Sequence, residues 1–314
     1  MRVLVTGASG FVGRAVLDEL QARGLEAVTV SRVARPVVAG EARRLLADAS
    51  NPAEVRELLL SVEPHVVLHL AGVSTAASYG DLYEANVVFA ANLMDAALAM
   101  PHKPSVLLAG SAAEYGPVSA ALQPVREDFA CRPNTAYGAS KLAQTSHAFI
   151  AASRGLSVVV ARLFNPIGPG MPKSLALGSF AHQIAAMGTR GGVLATGDLD
   201  VVRDFMDIRI AAKLLVDLSL TKDACPEVVN ICTGDGQRLL DLTQRMIVIS
   251  GVPVQLQHDD SRRGNSDVRA FVGDPSKLKA LGLNAHISDM DAILEAILRR
   301  AREEIAATQS GRVQ

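Results

Sequence analysis

The 314-residue chain predicts an α/β protein organised around a doubly wound parallel sheet. Three observations carry that prediction. Short apolar, β-branched runs alternate with helical patterns through the first half of the chain. A glycine-spaced turn joins the first run to the first helix. Neither an internal repeat nor a low-complexity linker breaks the alternation. Strands are expected near 2–6, 26–30, 43–47, 65–71, 105–110 and 157–163, with helices near 11–23, 52–62, 81–100 and 137–154. Such an alternation gives a parallel sheet covered on both faces, and ligands then sit at the carboxyl ends of its strands.

The first run, Arg2-Val-Leu-Val-Thr6, has the branched apolar composition of a strand buried on both sides. It feeds Gly7-Ala-Ser-Gly10-Phe-Val-Gly13, after which Val16, Leu17 and Leu20 recur at helical spacing. In a strand–turn–helix unit of this kind Gly7 allows the tight turn, Gly10 lets a phosphate approach the backbone, and Gly13 lets the helix pack closely. The amides at the helix start, aided by the helix dipole, then hold a pyrophosphate. Gly7, Gly10, Phe11, Val12 and Gly13 are therefore assigned to a dinucleotide site, together with Ala71 at the end of the fourth strand.

The second strand, 26–30, ends in Ser31-Arg32. NAD-binding chains usually place an acid here for the ribose hydroxyls. Arg32 can instead face a ribose 2′-phosphate, which favours NADP(H) and leaves NAD(H) open; it can also be a solvated loop residue. Asp48, after the run 43–47, either accepts from the adenine amine or caps the following helix.

Past Arg162 the composition changes. Asn165-Pro-Ile-Gly-Pro-Gly170, Gly188 to Gly192 and Gly234-Asp-Gly236 are loop punctuation. Residues 1–163 are read as the dinucleotide-binding domain. Residues 164–307 form a smaller substrate-binding lobe interleaved with returns to the sheet, and 308–314 a frayed tail. The last helix is expected to be amphipathic, with Met290, Ile293, Leu294, Ile297 and Leu298 on one face.

A net charge of −1 with interspersed signs points to neither a nucleic-acid surface nor an anionic membrane. No apolar run reaches membrane-spanning length, and with the first strand opening at Arg2 no signal peptide is expected. Three cysteines, Cys131, Cys225 and Cys232, lack metal spacing and are read as reduced thiols in the cytoplasm. Of the seven histidines only His65 and His69 stand four apart, and they fall in an extended run where that spacing separates them by about 13 Å, so no metal is expected.

In Asn134-Thr-Ala-Tyr-Gly-Ala-Ser-Lys141, Tyr137 and Lys141 fall on one helical face. A phenol titrates near pH 10, and a neighbouring ammonium favours its ionised form. The pair is expected to lower the Tyr137 pKa toward the range of a general acid or base.

The glycine turn at 7–13, Ser111 ahead of Tyr115-Gly116, and Tyr137-x-x-x-Lys141 together resemble the extended short-chain dehydrogenase/reductase family, in its nucleotide-sugar epimerase, dehydratase and reductase branch. Arg162-Leu-Phe-Asn-Pro-Ile-Gly-Pro-Gly170, Gly197 to Asp207, Asn230-Ile-Cys-Thr-Gly234 and Val272 to Leu278 are most similar to its GDP-4-keto-6-deoxy-mannose reductases. The resemblance implies a Rossmann-like fold and a nucleotide-sugar substrate. It makes Tyr137 the proton donor at the sugar's 4-oxygen, Ser111 a second donor to that oxygen, and Lys141 the holder of the nicotinamide ribose. Asn165 and Arg203 would contact the sugar nucleotide's diphosphate region, with Arg262 or Arg263 as the opposing jaw. Two departures stand out. Dehydratases of the branch carry an acid one or two positions after the catalytic Ser/Thr, where this chain has Ala112 and Ala113. Strand alternation would send Glu114 to the other side. Relatives often have Asp where this chain has Ile210.

A 4-keto reductase is thus the leading expectation. A 4-epimerase that recycles NAD, or a non-catalytic redox-sensing binding protein, keeps the same scaffold. The resemblance also implies a homodimer built on the helices near 81–100 and 137–154. These carry Ala90, Ala91, Ala96, Ala97, Ala148, Ala151 and Ala152, which intramolecular packing on the sheet would tolerate equally.

Overall fold

The alternating runs fold in the order β1 (Arg2–Thr6), α1 (Phe11–Ala22), β2 (Glu26–Ser31), β3 (Arg43–Leu46), α2 (Pro52–Val62), β4 (Val66–His69), α3 (Tyr79–Tyr83), α4 (Phe89–Leu98), β5 (Ser105–Ser111), α5 (Ala136–Ser153) and β6 (Val158–Leu163). Then follow β7 (Asn165–Ile167), α6 (Ala176–Met187), β8 (Gly192–Thr196), β9 (Val202–Asp207), α7 (Ile208–Leu220) and β10 (Glu227–Ile231). The last elements are β11 (Gly236–Arg238), α8 (Leu239–Ser250), β12 (Val254–His258), β13 (Ala270–Phe271), α9 (Ser276–Ala280) and α10 (Met290–Gln309). The computed structural model describes residues 1–31, 41, 43–46, 48–221, 227–262, 268–286 and 289–311. Arg32, Cys225 and Arg263 lie outside these residues, as does the side chain of Arg262.

Seven parallel strands form the main sheet in the order β10-β6-β5-β4-β1-β2-β3. The order reverses direction between β1 and β4, which opens a crevice at their carboxyl ends. One face is covered by α1 and α7, whose Val16, Leu17, Leu20, Leu214 and Leu218 share a core with Val3, Val5 and Leu68. The other is covered by α2, α4 and α5, where Leu59, Leu93 and Ala148 pack on Leu4, Val67 and Leu108. Burying one such aliphatic side chain is worth about 1.5–3 kcal/mol. An exposed ion pair such as Arg2–Glu63, at 3.6 Å, contributes at most ~1 kcal/mol. The two helical layers, not surface charges, therefore hold the carboxyl edge of the sheet in place.

The expected strands form, and β10 joins the main sheet beside β6. The helix expected at 81–100 starts at Tyr79 and contains one π turn, Glu84–Val88, which buries Asn86. Ala90, Ala96, Ala97, Ala148 and Ala151 are buried inside the subunit. The outer face of these helices instead carries Val88, Phe149 and Ile150. The smaller lobe is a sheet of β11, β9, β13 and β7 with a separate β8–β12 pair. Helices α6, α8 and α10 close it, and the expected stripe of Met290, Ile293, Leu294, Ile297 and Leu298 is buried among them. Helix α10 continues to Gln309, past the point where a frayed tail was expected, and Thr308 Oγ1 donates to the Glu304 carbonyl at 2.9 Å.

Candidate active site

The glycine turn sits at the β1–β4 crevice. Gly7 has φ +70°, and a Cβ there would lie 2.6 Å from the Ala71 amide nitrogen, so only glycine fits. A Cβ on Gly13 would lie 2.2 Å from the Gly7 carbonyl oxygen. Gly10 is exposed and closes the turn by donating its amide to that same carbonyl at 3.0 Å. Helix α1 thus opens on the amides of Phe11, Val12 and Gly13, which have no acceptor in their own helix and carry the positive end of its dipole. A cradle walled by backbone that any Cβ would fill fits a dinucleotide pyrophosphate.

Thr6 ties the crevice together: its Oγ1 accepts from the Ala71 amide at 3.2 Å and bonds His69 Nδ1 at 2.9 Å. His69 is fully buried, and burial together with the Lys141 charge pushes its pKa down to about 3, so it is neutral at working pH. Ser31 ends β2 at the same edge. Asp48 accepts from the Ser50 amide and hydroxyl at 2.9 and 2.8 Å. It does not cap α2; Asn51 does, accepting from the Ala53 amide at 3.0 Å, because Pro52 sets the first helical position one residue later.

Ser111 ends β5 and enters a 3₁₀ turn, Ala112–Glu114. The turn corrects the alternation argument for Glu114. A capping box closes it: Ser111 Oγ accepts from the Ala113 amide at 3.2 Å and Glu114 Oε1 accepts from the Ser111 amide at 2.8 Å. Glu114 Oε2 takes Arg162 Nε and Thr145 Oγ1, both at 2.9 Å, and the residue is 0% exposed. Its carboxylate is engaged in the interior and not free for elimination.

Thr135 caps α5 by accepting from the Gly138 amide at 3.0 Å. A Cβ on Gly138 would lie 2.4 Å from the Ala113 carbonyl oxygen, so the glycine lets α5 lie directly on the 3₁₀ turn. That approach brings Tyr137 beside Ser111, whose hydroxyl favours the ionised phenol. One turn on, Lys141 is buried, with Nζ donating to the Ala109 carbonyl at 2.5 Å and to Gln144 Oε1. Asn86 bonds Ser140 Oγ at 2.8 Å and both backbone groups of Val73, holding the loop after β4 against α5.

The electrostatics correct one expectation. Burial pushes the Tyr137 phenol up, with Glu114 adding to the rise and Ser111 opposing it. The net shift is upward although Lys141 lies one turn on, its ammonium donating to the Ala109 carbonyl and to Gln144. Burial in turn brings Lys141 down to about 8, against the pull of Glu114. At neutral pH the site therefore holds a protonated phenol and an ammonium, the pair suited to delivering a proton. The ammonium is lost as pH rises through about 8, and kcat/KM, which reports the free enzyme, should fall on that limb. The residual activity of Lys141→Arg should lack it, since a guanidinium stays charged; a limb retained near the same pH assigns the titration to another group. Between about 8 and the ordinary 10.5 the unfolded chain binds more protons at this site, so stability rises with pH across that window.

Leu163 lies opposite Ser111 in the sheet, so Asn165, two residues later in β7, emerges at the same edge. Its Nδ2 donates to the Asp204 carbonyl of β9 at 2.9 Å. Arg203, half-buried on β9, donates to the Val202 carbonyl at 2.8 Å. Asn165 and Arg203 thus share the lobe sheet, whereas Arg262 ends a 3₁₀ turn after β12. Ile210 packs against the α1–α7 core, which accounts for an apolar residue there. Sequence reasoning missed Asn86, Gln144, Thr145 and the buried Asp204, which accepts from Thr233, Gly234 and Gly273. A signal existed for two of them: Gln144 and Thr145 are polar residues on the same inward stripe of α5 as Lys141 and Ala148.

Residues 3–232 match the model of the NAD dependent epimerase/dehydratase family. The chain is similar to GDP-6-deoxy-D-mannose reductase of Pseudomonas aeruginosa, with 32% identity covering 96% of this chain and 99% of that protein. It is also similar to dTDP-6-deoxy-L-talose 4-dehydrogenase (NAD(P)(+)) of Kitasatospora kifunensis, with 33% identity over 81% of each chain. The solved structure of RMD from Pseudomonas aeruginosa complexed with NADPH superposes with a TM-score of 0.83 at 30% identity, covering 96% of this chain and 98% of that one. With the family model spanning most of its length and a relative above 30% identity covering nearly all of it, the chain belongs to the NAD dependent epimerase/dehydratase family.

Proposed function

We propose that this protein reduces the 4-keto group of a nucleotide-activated 6-deoxy sugar, of the GDP-4-keto-6-deoxy-mannose type, using NADPH. The observation that carries the reading is the Ser111–Tyr137 pair beside buried Lys141, with a phenol that burial keeps protonated. When bound along the glycine cradle, the reduced nicotinamide supplies a hydride. Tyr137 delivers its proton to the 4-oxygen as negative charge develops there, and Ser111 donates a hydrogen bond to the same oxygen. Lys141 holds the nicotinamide ribose. Ala112 and Ala113 offer no acid or base for dehydration, and Glu114 is engaged with Arg162. Asn165 and Arg203 hold the diphosphate side of the substrate, opposed by Arg262 or Arg263. Arg32 receives the cofactor's 2′-phosphate, with Asp48 at the adenine; the NADPH bound to RMD supports that preference.

Residues 1–163 act as the cofactor domain and 164–307 as the substrate lobe. No described helix is long and apolar enough to cross a membrane. Described Cys131 and Cys232 are free thiols, in keeping with a cytoplasmic enzyme. The outward Val88, Phe149 and Ile150, which are 38%, 45% and 55% exposed, form the face on which two copies pair as a homodimer. Phe149→Asp should shift the species seen by analytical ultracentrifugation from dimer to monomer; a monomeric wild-type protein would remove the dimer from the proposal.

The deciding experiment titrates the purified protein with NADPH and NADH, each with and without GDP-4-keto-6-deoxy-mannose. Loss of reduced-nicotinamide absorbance that requires the sugar nucleotide is the expected result, faster with NADPH. No consumption, with tightly bound NAD⁺ released on denaturation, would overturn the reductase reading in favour of a 4-epimerase.

A further inference from the structure

We propose that Glu114 is a positioning residue, a buried joint that sets the spacing between Ser111 and the helix carrying Tyr137 and Lys141. This rests on the reading that Ser111, Tyr137 and Lys141 are the reacting set. Three separate elements converge on one fully buried carboxylate: the Ser111 amide from the end of β5, Thr145 Oγ1 from α5 and Arg162 Nε from β6. The first bond orients Ser111, whose Oγ accepts from the Ala113 amide and so keeps its hydrogen for the phenol or the substrate oxygen. The second reaches the turn of α5 immediately after Lys141, since residues four apart share a helical face. One side chain therefore governs both distances that matter for proton delivery.

The third bond anchors the joint to the sheet. The Arg162 guanidinium lies 4.5 Å from the centroid of the Tyr115 ring, and Tyr115 Oη donates to Asn230 Oδ1 of β10 at 2.6 Å. Asn230 Nδ2 donates in turn to the Val125 carbonyl at 2.9 Å. Packing alone gives no reason for a charge here, because a buried ion pair is often no better than a hydrophobic pair of similar volume. What a carboxylate does, and an apolar side chain cannot, is accept from three elements at once.

The joint also acts electrostatically. Glu114 on the 3₁₀ turn acts on both Tyr137 and Lys141; Arg162 on β6 and Cys131 in the segment leading into α5 act on Glu114 and on each other, and neutral His69 on β4 faces Lys141. The Glu114 charge raises both Tyr137 and Lys141. Neutralising it should lower both, and the Arg162 cation left behind acts in the same direction.

The test uses Glu114→Gln, Thr145→Val and Thr145→Ser in the full chain. Readouts are kcat, KM, NADPH affinity, the pH profile of kcat/KM, and a substrate-free titration of the phenol by ultraviolet difference absorbance, with Tyr137→Phe as the blank. E114Q should lose roughly 10- to 100-fold in kcat, the scale for displacing reacting groups by about 1 Å. KM and NADPH affinity should hold, and both the phenol midpoint and the alkaline limb should move down. T145V keeps the charge and loses the tether, so kcat should fall while both midpoints stay; T145S should restore kcat. The proposal is overturned by E114Q with wild-type kcat and unmoved midpoints, or by T145V and T145S that are equally impaired. If E114Q does not fold, the T145V and T145S pair decides. A wild-type protein that reduces no keto sugar, while E114Q still shifts the phenol midpoint, would sink the reductase reading and leave the coupling standing.

Discussion

Replacing Tyr137 by Phe should lower kcat by roughly 10²–10⁴-fold, the usual worth of a positioned general acid. The substitution removes one oxygen from a half-buried ring and leaves the helix, the cap at Thr135 and the close approach at Gly138 as they are. NADPH affinity and melting temperature should therefore stay near wild type, so that the loss falls on the chemical step. A variant that keeps most of its kcat would remove Tyr137 from the donor role. A variant that loses kcat and stability together would indicate that the ring is needed for packing rather than for its proton. The direction of the phenol's shift sharpens the expectation. Because burial holds it above its ordinary range, the wild-type donor stays protonated through neutral pH.

Replacing Arg162 by Met should destabilise the protein by about 3–5 kcal/mol, the cost of leaving a buried charge without its partner. Arg162 is 3% exposed and its Nε meets Glu114 Oε2 at 2.9 Å, so water cannot substitute for the lost cation. Methionine matches the stem in length and fills much of the space, which limits the cavity contribution. The measurement is urea unfolding of the two single variants E114Q and R162M and of their double variant. The double variant should recover a large part of the single-variant loss, because neither charge is then left alone in the interior. An R162M loss within about 1 kcal/mol would place the pair in the class of surface ion pairs and remove its structural importance.

Much of the frame was legible from local pattern. The β-branched runs, the apolar spacing of Val16, Leu17 and Leu20, and the glycine spacing at 7, 10 and 13 each report the backbone geometry of a few neighbouring residues. So does the register of Tyr137 and Lys141 on one helical face. These features carry the sheet, the cradle at the carboxyl end of β1 and the side chains proposed to react. Patterns of this kind are set by the period of the backbone, 2.0 for a strand and 3.6 for a helix, which any short segment already contains.

The tertiary structure decided what those side chains do to one another. Glu114 turns inward because its partners, Thr145 and Arg162, stand 31 and 48 residues away, and no local period encodes them. Asn86 reaches Ser140 across 54 residues, and Tyr115 reaches Asn230 across 115. Ala90, Ala96, Ala97, Ala148 and Ala151 face the sheet because the packing of both helices, not their composition, selects which stripe is covered. The shift of Tyr137 went up, where a neighbouring ammonium argued for down, because desolvation sums over every atom that excludes water from the phenol. By itself the sequence determined the fold, the family and which groups could react. Only the assembled fold decided their distances, protonation and charge partners, since those depend on residues brought together from the whole chain.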